Sequence, residues 1–400
     1  MALLMVFVLG LAAFAVDVGY IVQTHHELQN AADSAALAGT SKLLDYQLQA
    51  AFAPVLQQSS IKTQAVNSAV SEAQKFAGLN PAGNATLNLN SNDVSVGYVG
   101  VPANTSPFLP WNLSTNWPNS VQVVVHRDGT STASAPSLPL FFGKVLGTKT
   151  ADVVANATAT AQGGANITGF NTGPNGPNGD LLPITLDVAT WNYFLLNRGR
   201  MPDGNIYDNF TVATGSGAPA PPANVTGSET SSQPDGIPEI PYLYPNGTTA
   251  GNFGLVQLYD PNTNKNGTPG FRNWIANGPS PSDLASFGSK GLQLGNALNP
   301  LHLKGTPGLK STLQSDLAAI VGQRRVLPLY STVTGNGDNA DYTIVAFVGV
   351  TITSATGRGD ANMQVTIQPI ITNDPTATVG TPPLTGTPSA FVYRPLALTR

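Results

Sequence analysis

The opening segment Met1–Val22, MALLMVFVLGLAAFAVDVGYIV, constrains this chain more than any other stretch. An apolar run from Met1 to Val16 is broken by one carboxylate, Asp17, and resumes through Val18, Ile21 and Val22. It then passes, without a proline, into an Ala-rich polar segment. About 20 mostly apolar helical residues cross a hydrocarbon core, so residues 1–24 read as a transmembrane anchor whose helix continues beyond the membrane. Leu28, Ala32, Ala35, Ala36, Leu43 and Leu44 recur at helical spacing, and Pro54 ends or kinks the helix near residue 52. No positively charged n-region and no small-residue cleavage site accompany the run, which favours a retained anchor over a cleaved signal peptide. The segment after the run holds no Lys or Arg until Lys42, and the positive-inside rule then places the body outside the cytoplasm.

The composition excludes several classes. Charged residues make up 10% of the chain, against roughly 25% in ordinary soluble domains. With 41 Gly and 32 Pro, this points to β-rich structure with many turns. A net charge of −4 offers no basic patch for nucleic acid. There is no cysteine, so neither a disulfide framework nor thiol chemistry is available.

Beyond the anchor, residues 60–77 read as a second helix, closed by Gly78 and Asn80-Pro81. Asp93–Val101, Val121–Arg127 and Ala151–Ala161 read as strands, and Leu138–Leu146 as a short helix. This is the order of a pilin-like unit over 25–161. Residues 162–180, QGGANITGFNTGPNGPNGD, read as a linker. A β-rich extracytoplasmic domain follows over 181–372. Its expected strands are 181–188, 251–259, 325–333, 341–353 and 362–372, the last two paired through a turn at 357–360. Its expected helices are 189–198, 271–278 and 308–320, and residues 211–240 read as a long loop. Residues 373–400 read as a flexible tail. The fold class is therefore α+β: a long N-terminal transmembrane helix, a helix and antiparallel-sheet unit, and a second β-rich unit.

The segment Ala15-Val16-Asp17-Val18-Gly19, followed by Leu28-Gln29-Asn30-Ala31-Ala32-Asp33 and Ala35-Ala36-Leu37-Ala38-Gly39, resembles the N-terminal signature of TadE/TadG-like proteins of tight-adherence (Flp) pilus machinery. Such proteins usually carry an Arg-rich stretch ahead of the run. This chain starts inside it, leaving open a start upstream of Met1 or a misassigned one. GNFGLVQL at 251–258, WIANG at 274–278 and the run 324–353 are similar, more loosely, to the C-terminal body of longer TadG-like proteins. Many of these carry a von Willebrand A-type domain with an Asp-x-Ser-x-Ser metal site. That motif is absent here, so metal-dependent adhesion is not implied.

The resemblance implies a membrane-anchored accessory protein with the inner membrane and pilus or pilus-assembly subunits as partners. The expected site lies on the membrane and partner helix: Asp17, Gly19, Asn30, Ala31, Ala32, Asp33, Ala35, Ala36 and Gly39. A carboxylate in a span is costly, so Asp17 either pairs with a positive group on a neighbouring subunit, as pilins of the type IV family use theirs, or is solvated where the span ends. The small residues either pack on assembly subunits or on the protein's own sheet. Pilin-type cleavage needs a Glu five residues after the Gly, and Gly10 is followed there by Ala15, so no such processing is expected.

Other patterns have blander explanations. His25 and His26 are adjacent and point about 100° apart on a helix, so no metal site is expected. Asp260, Asn262, Asn264 and Asn266 alternate like calcium-loop oxygens, but Lys265 stands where an EF-hand needs Gly. Gly335–Asp341 reads as a hairpin connection, and Arg358-Gly359-Asp360 as a turn. Asn-x-Ser/Thr sites such as Asn84, Asn156 and Asn224 follow from the Asn and Thr content. No nucleophile elbow, zinc-helix motif or phosphate loop occurs. No catalytic residue, metal or cofactor is expected. The alternative function is a surface-anchored ligand-binding or adhesion module unrelated to a pilus.

Overall fold

The computed structural model describes residues 1–101, 103, 105–208, 236–244, 252–259, 268–296, 298–307, 313–356, 364–381 and 388–399. The chain divides into two compact units, Met1–Tyr46 with Ser60–Ala161 and Leu396–Arg400, and Gln47–Ser59 with Gln162–Pro395. It is α+β, with an apolar helix ahead of β-rich structure.

In the first unit, helix α1 spans Ala2–Phe52, and its residues through Tyr46 belong here. Helix α2 runs Val55–Gly78. It begins earlier than its apolar spacing indicates, because residues 55–60 are all exposed and carry no buried stripe. Proline is tolerated just ahead of a first turn, so Pro54 separates two helices without a longer break. The central strand Ser120–Asp128 pairs antiparallel with Val94–Val99 on one side and Val153–Thr160 on the other. Its alternating burial sends Val121, Val123 and Val125 into the core. They meet Leu28, Ala31, Ala32, Ala35 and Ala36 of α1 and Ala65, Ala69 and Ala73 of α2 in one cluster. Small side chains on both helices let the layers approach closely. Gly39 marks the tightest point: a Cβ there would sit 3.0 Å from the Ala69 carbonyl and 3.2 Å from Val121 Cγ1.

In the second unit the centre is the strand Asp341–Thr356. Arg324–Thr334 pairs along one edge. Leu301–Pro307 and Gln364–Pro369 share the other, so the expected pairing of the last two strands is present. Ile240–Tyr244 and Asn252–Val256 complete that side of the sheet. Trp191, Phe194, Trp274, Phe347 and Tyr342 fill the core, together with Leu48 and Phe52. Pro183 lacks a donor, so the expected strand 181–188 is reduced to Leu186–Asp187 with isolated bridges at Leu181 and Ile184. Helix Val188–Leu196 follows, capped by Asp187, whose carboxylate accepts from the Thr190 amide at 2.8 Å.

Three expectations are corrected. The linker 162–180 contains the strand Ile167–Phe170, paired with Leu292–Gln293 and Ala377–Val379. Its Ile167 and Phe170 are fully buried, an apolar pair hidden in a turn-rich composition. The flexible tail is folded for much of its length. Phe391 and Tyr393 carbonyls accept from the Thr372 and Asp374 amides, and the Gly349 amide donates to Ala390 O. This contact is possible because a Cβ at 349 would lie 2.4 Å from the Phe391 carbonyl. Ala397–Leu398 then pairs with Ala159–Thr160 in the first unit's sheet. Finally, Leu138–Leu146 is not a helix. Leu138–Pro139 pairs with Thr150–Ala151, and one 3-10 turn covers Gly143–Leu146. Residues 209–235, 260–267 and 357–363 lie outside the described residues, and with them most of the expected loop, the Asp260–Asn266 alternation and the Arg358–Asp360 tripeptide.

The packing at Gly39 makes a direct test. Gly39→Val overpacks the helix–sheet contact and costs about 1–3 kcal/mol. Gly19, with open space around it, gains about 0.5–1 kcal/mol as Ala through helix propensity. Thermal unfolding of the detergent-solubilised protein measures both.

Candidate functional site

The N-terminal half of α1 carries a largely exposed apolar surface. Leu4, Phe7, Leu9 and Phe14 are all more than half exposed. Among the described residues, α1 is the one helix long and apolar enough to cross a membrane. Asp17 sits where this bare surface meets the folded part, and it is 5% exposed.

Among the described residues, the Asp17 carboxylate is held by backbone amides. Oδ1 accepts from the Phe141 amide at 2.8 Å and from the Phe142 amide at 3.3 Å. Oδ2 accepts from Phe142 at 3.0 Å and from Gly143 at 2.6 Å. These amides lead into the 3-10 turn, whose first donors have no partner within the turn. Asp17 therefore caps another segment of the chain, as an N-cap carboxylate caps its own helix. Gly143 is required by close approach: a Cβ there would lie 2.7 Å from Thr148 O and 2.8 Å from Leu140 Cδ1. Gly147 closes the turn in the left-handed region at φ 90°. Tyr20, one turn after Asp17, packs its ring on Phe141 with centroids 5.1 Å apart.

A second clasp lies further along α1. Glu27 accepts from the Gly83 amide at 2.6 Å, and the Tyr20 hydroxyl donates to Gly83 O at 3.1 Å. From the sheet side, buried Arg127 donates to Ala82 O and Gly83 O at 2.8 and 2.9 Å. The turn at 82–85 is thus gripped by helix and strand together. Neither clasp is visible in a sequence window, because each joins residues more than forty positions apart.

The other expected residues divide. Ala31, Ala32, Ala35, Ala36 and Gly39 are buried against α2 and the sheet of their own unit, so their small-residue face is already occupied. Asn30 and Gly19 are exposed. Asp33 accepts from Gln29 at 2.8 Å, and Gln29 also reaches the Asn156 carbonyl. Asp17 is not solvated, as one of the two readings had it, but is buried and bonded to amides of its own unit. His25 and His26 are exposed side by side, and among the described residues no cluster of His, Asp and Glu could hold a metal ion.

Among the described residues of the second unit, Asp374, Asp180 and Arg325 form one group of partly or fully buried charges. Asp374 is buried and accepts from the Thr376 amide and hydroxyl at 2.7 Å and from the Asp180 amide at 2.8 Å. Burial pushes Asp374 up. Burial, then the nearby Asp374 charge, pushes Asp180 up to about 6. Arg325 is buried close by and donates to Ala276 O and Gln323. Its guanidinium is driven down by desolvation. The Asp180 amide bond and the Arg325 contacts tie separate segments of the second unit together.

Two family models match the chain: Tad, described as Flp pilus-assembly TadE/G-like, over residues 1–51, and Tad_C, Tad-like Flp pilus-assembly, over residues 50–159. No curated protein and no solved structure matches. Fold and site define an α+β protein that, among the described residues, has one helix long and apolar enough to cross a membrane. Over residues 1–159 the chain is similar to TadE/TadG-like Flp pilus-assembly proteins. The matched region ends where the first unit's sheet strand Val153–Thr160 ends.

Two outcomes follow. Asp17→Ala leaves three partly buried amides without their acceptor, and bonds to charged groups are worth about 1.5–3 kcal/mol. Hydrogen exchange at Phe141–Gly143, read by mass spectrometry, is expected to accelerate about 10–100-fold. At Asp180 the folded protein keeps a proton that the unfolded chain loses from pH 3.8 upward, so stability falls as pH rises from there to about 6 and is level above. Asp180→Asn removes this slope, gaining on the order of 1–3 kcal/mol over the wild type near neutral pH and nothing at acid pH. Urea unfolding of both proteins across that range checks it.

Proposed function

We propose that this protein is a non-catalytic, minor-pilin-like accessory of Flp pilus assembly. α1 holds it in the inner membrane by a single pass, and the body lies outside the cytoplasm. The observation that carries the reading is the bare apolar half of α1 joined to a helix-and-sheet unit that matches pilus-assembly families. Its partners are the membrane and pilus or pilus-assembly subunits. Because the Ala31–Gly39 face is consumed internally, subunit contacts fall on other surfaces, among them the exposed apolar helix.

The reading separates from that of a ligand-binding surface module by phenotype and topology. Deleting the gene abolishes Flp pili and surface attachment, and re-expression restores both. Protease added to spheroplasts digests the body while the full-length protein remains in the membrane fraction of intact cells. Normal piliation in the deletion strain, or a shortened soluble product, overturns it.

A further inference from the structure

The loop after Leu138 carries apolar side chains that its own unit leaves bare. Phe141 is 60% exposed, Phe142 45% and Val145 85%. The same loop docks through its amides on Asp17, so these side chains stand beside the apolar half of α1. Together they form an apolar groove of about 620 Å³, lined by Leu9, Ala13, Phe14, Leu140, Phe142 and Val145 among others. Lys144 and Lys149 are exposed in the same loop.

The length of the apolar run decides what covers this groove. Met1–Val16 spans about 24 Å at 1.5 Å per residue, short of a hydrocarbon core of about 30 Å. Continuing to Val22 brings it to about 33 Å. The obstacle is Asp17, and its charge is already met by three amides. The span can therefore extend past Asp17, and the loop that satisfies it goes to the same depth. Tyr20 on Phe141 places aromatic rings where interfacial rings concentrate. Lys144 and Lys149 supply the positive charge that lipid phosphates attract.

We propose that residues 140–147 form a second membrane contact, with Phe141, Phe142 and Val145 among lipid acyl chains beside α1 and Lys144 and Lys149 at the phosphates. The occupant of the groove is lipid, continuous with the lipid around the span. Asp17 is then the pin that holds a monotopic loop at the interface and sets how deep the body sits. This rests on the reading of α1 as a membrane anchor.

The absence of cysteine makes the test direct. Single-cysteine variants Val145→Cys and Phe141→Cys of the full chain are labelled with an environment-sensitive fluorophore and reconstituted in phosphatidylcholine–phosphatidylglycerol vesicles. Val8→Cys reports the span, and Leu113→Cys, an exposed position in the same unit, reports water. The expected result is quenching of the 141 and 145 labels by lipids spin-labelled near the headgroup, with little quenching by iodide. The 8 label is quenched by deeper spin labels, and the 113 label by iodide alone. A lipid-quenched 8 label with iodide-quenched 141 and 145 labels overturns the loop contact and leaves the anchor standing. If iodide also quenches the 8 label, the anchor fails and the loop contact fails with it.

Discussion

A carboxylate at the end of an apolar helix must find donors before the helix can enter a membrane, and the first unit is arranged around that requirement. Asp17 obtains four hydrogen bonds from three consecutive amides. An ionised acceptor bonded to backbone donors makes some of the stronger hydrogen bonds available in a protein. The donors are backbone amides of the loop at Phe141–Gly143. The loop that provides them is in turn fixed by Gly143, by the Leu138–Pro139 and Thr150–Ala151 pair, and by Tyr20 against Phe141. The helix is thereby locked to the sheet at the level where its apolar surface begins.

Further along α1 the problem changes from charge to distance. Two helices and a sheet must approach closely enough to exclude water without large side chains to fill gaps. Alanines on each element and Gly39 between them achieve this. The same small residues would have suited contact with a neighbouring subunit. Their burial inside the unit moves the search for partner surfaces to the exposed apolar helix and the loop beside it. The last residues of α1 serve a different core: Leu48 and Phe52 pack with Phe194 and its neighbours, and Tyr393 donates to Gln47.

Local periodicity made much of the fold legible. The single helix to Phe52, the Val-rich strands and the pairing of Asp341–Thr356 with Gln364–Pro369 all follow from apolar spacing within a window. The errors have a common physical origin. ITGF at 167–170 lies within Gly, Asn and Pro, and its strand character comes from partners more than a hundred residues away. The C-terminal segment lacks apolar alternation, and its backbone is ordered by carbonyls accepting from Gly349, Thr372 and Asp374. At 138–146 the apolar run has helical composition, but Gly143 and Gly147 turn it into a docked loop. The short helix Pro281–Ala285 carries its start signal in the sequence, a capping box of Ser280 and Asp283.

For the site itself, residue types determined that Asp17 is unusual, that Ala31–Gly39 form a face for close packing, and that the chain is related to Flp pilus-assembly proteins. An ordered set of side chains at fixed helical spacing carries that information along one element. Which groups satisfy Asp17, and which surface the alanines meet, was decided by tertiary structure alone. Backbone amides have no residue identity, so donors at Phe141–Gly143 leave no mark on the sequence. A stripe of alanines fits a sheet of its own chain as well as a neighbouring helix, and only the folded chain shows that Val121 and Ala69 already stand against Gly39.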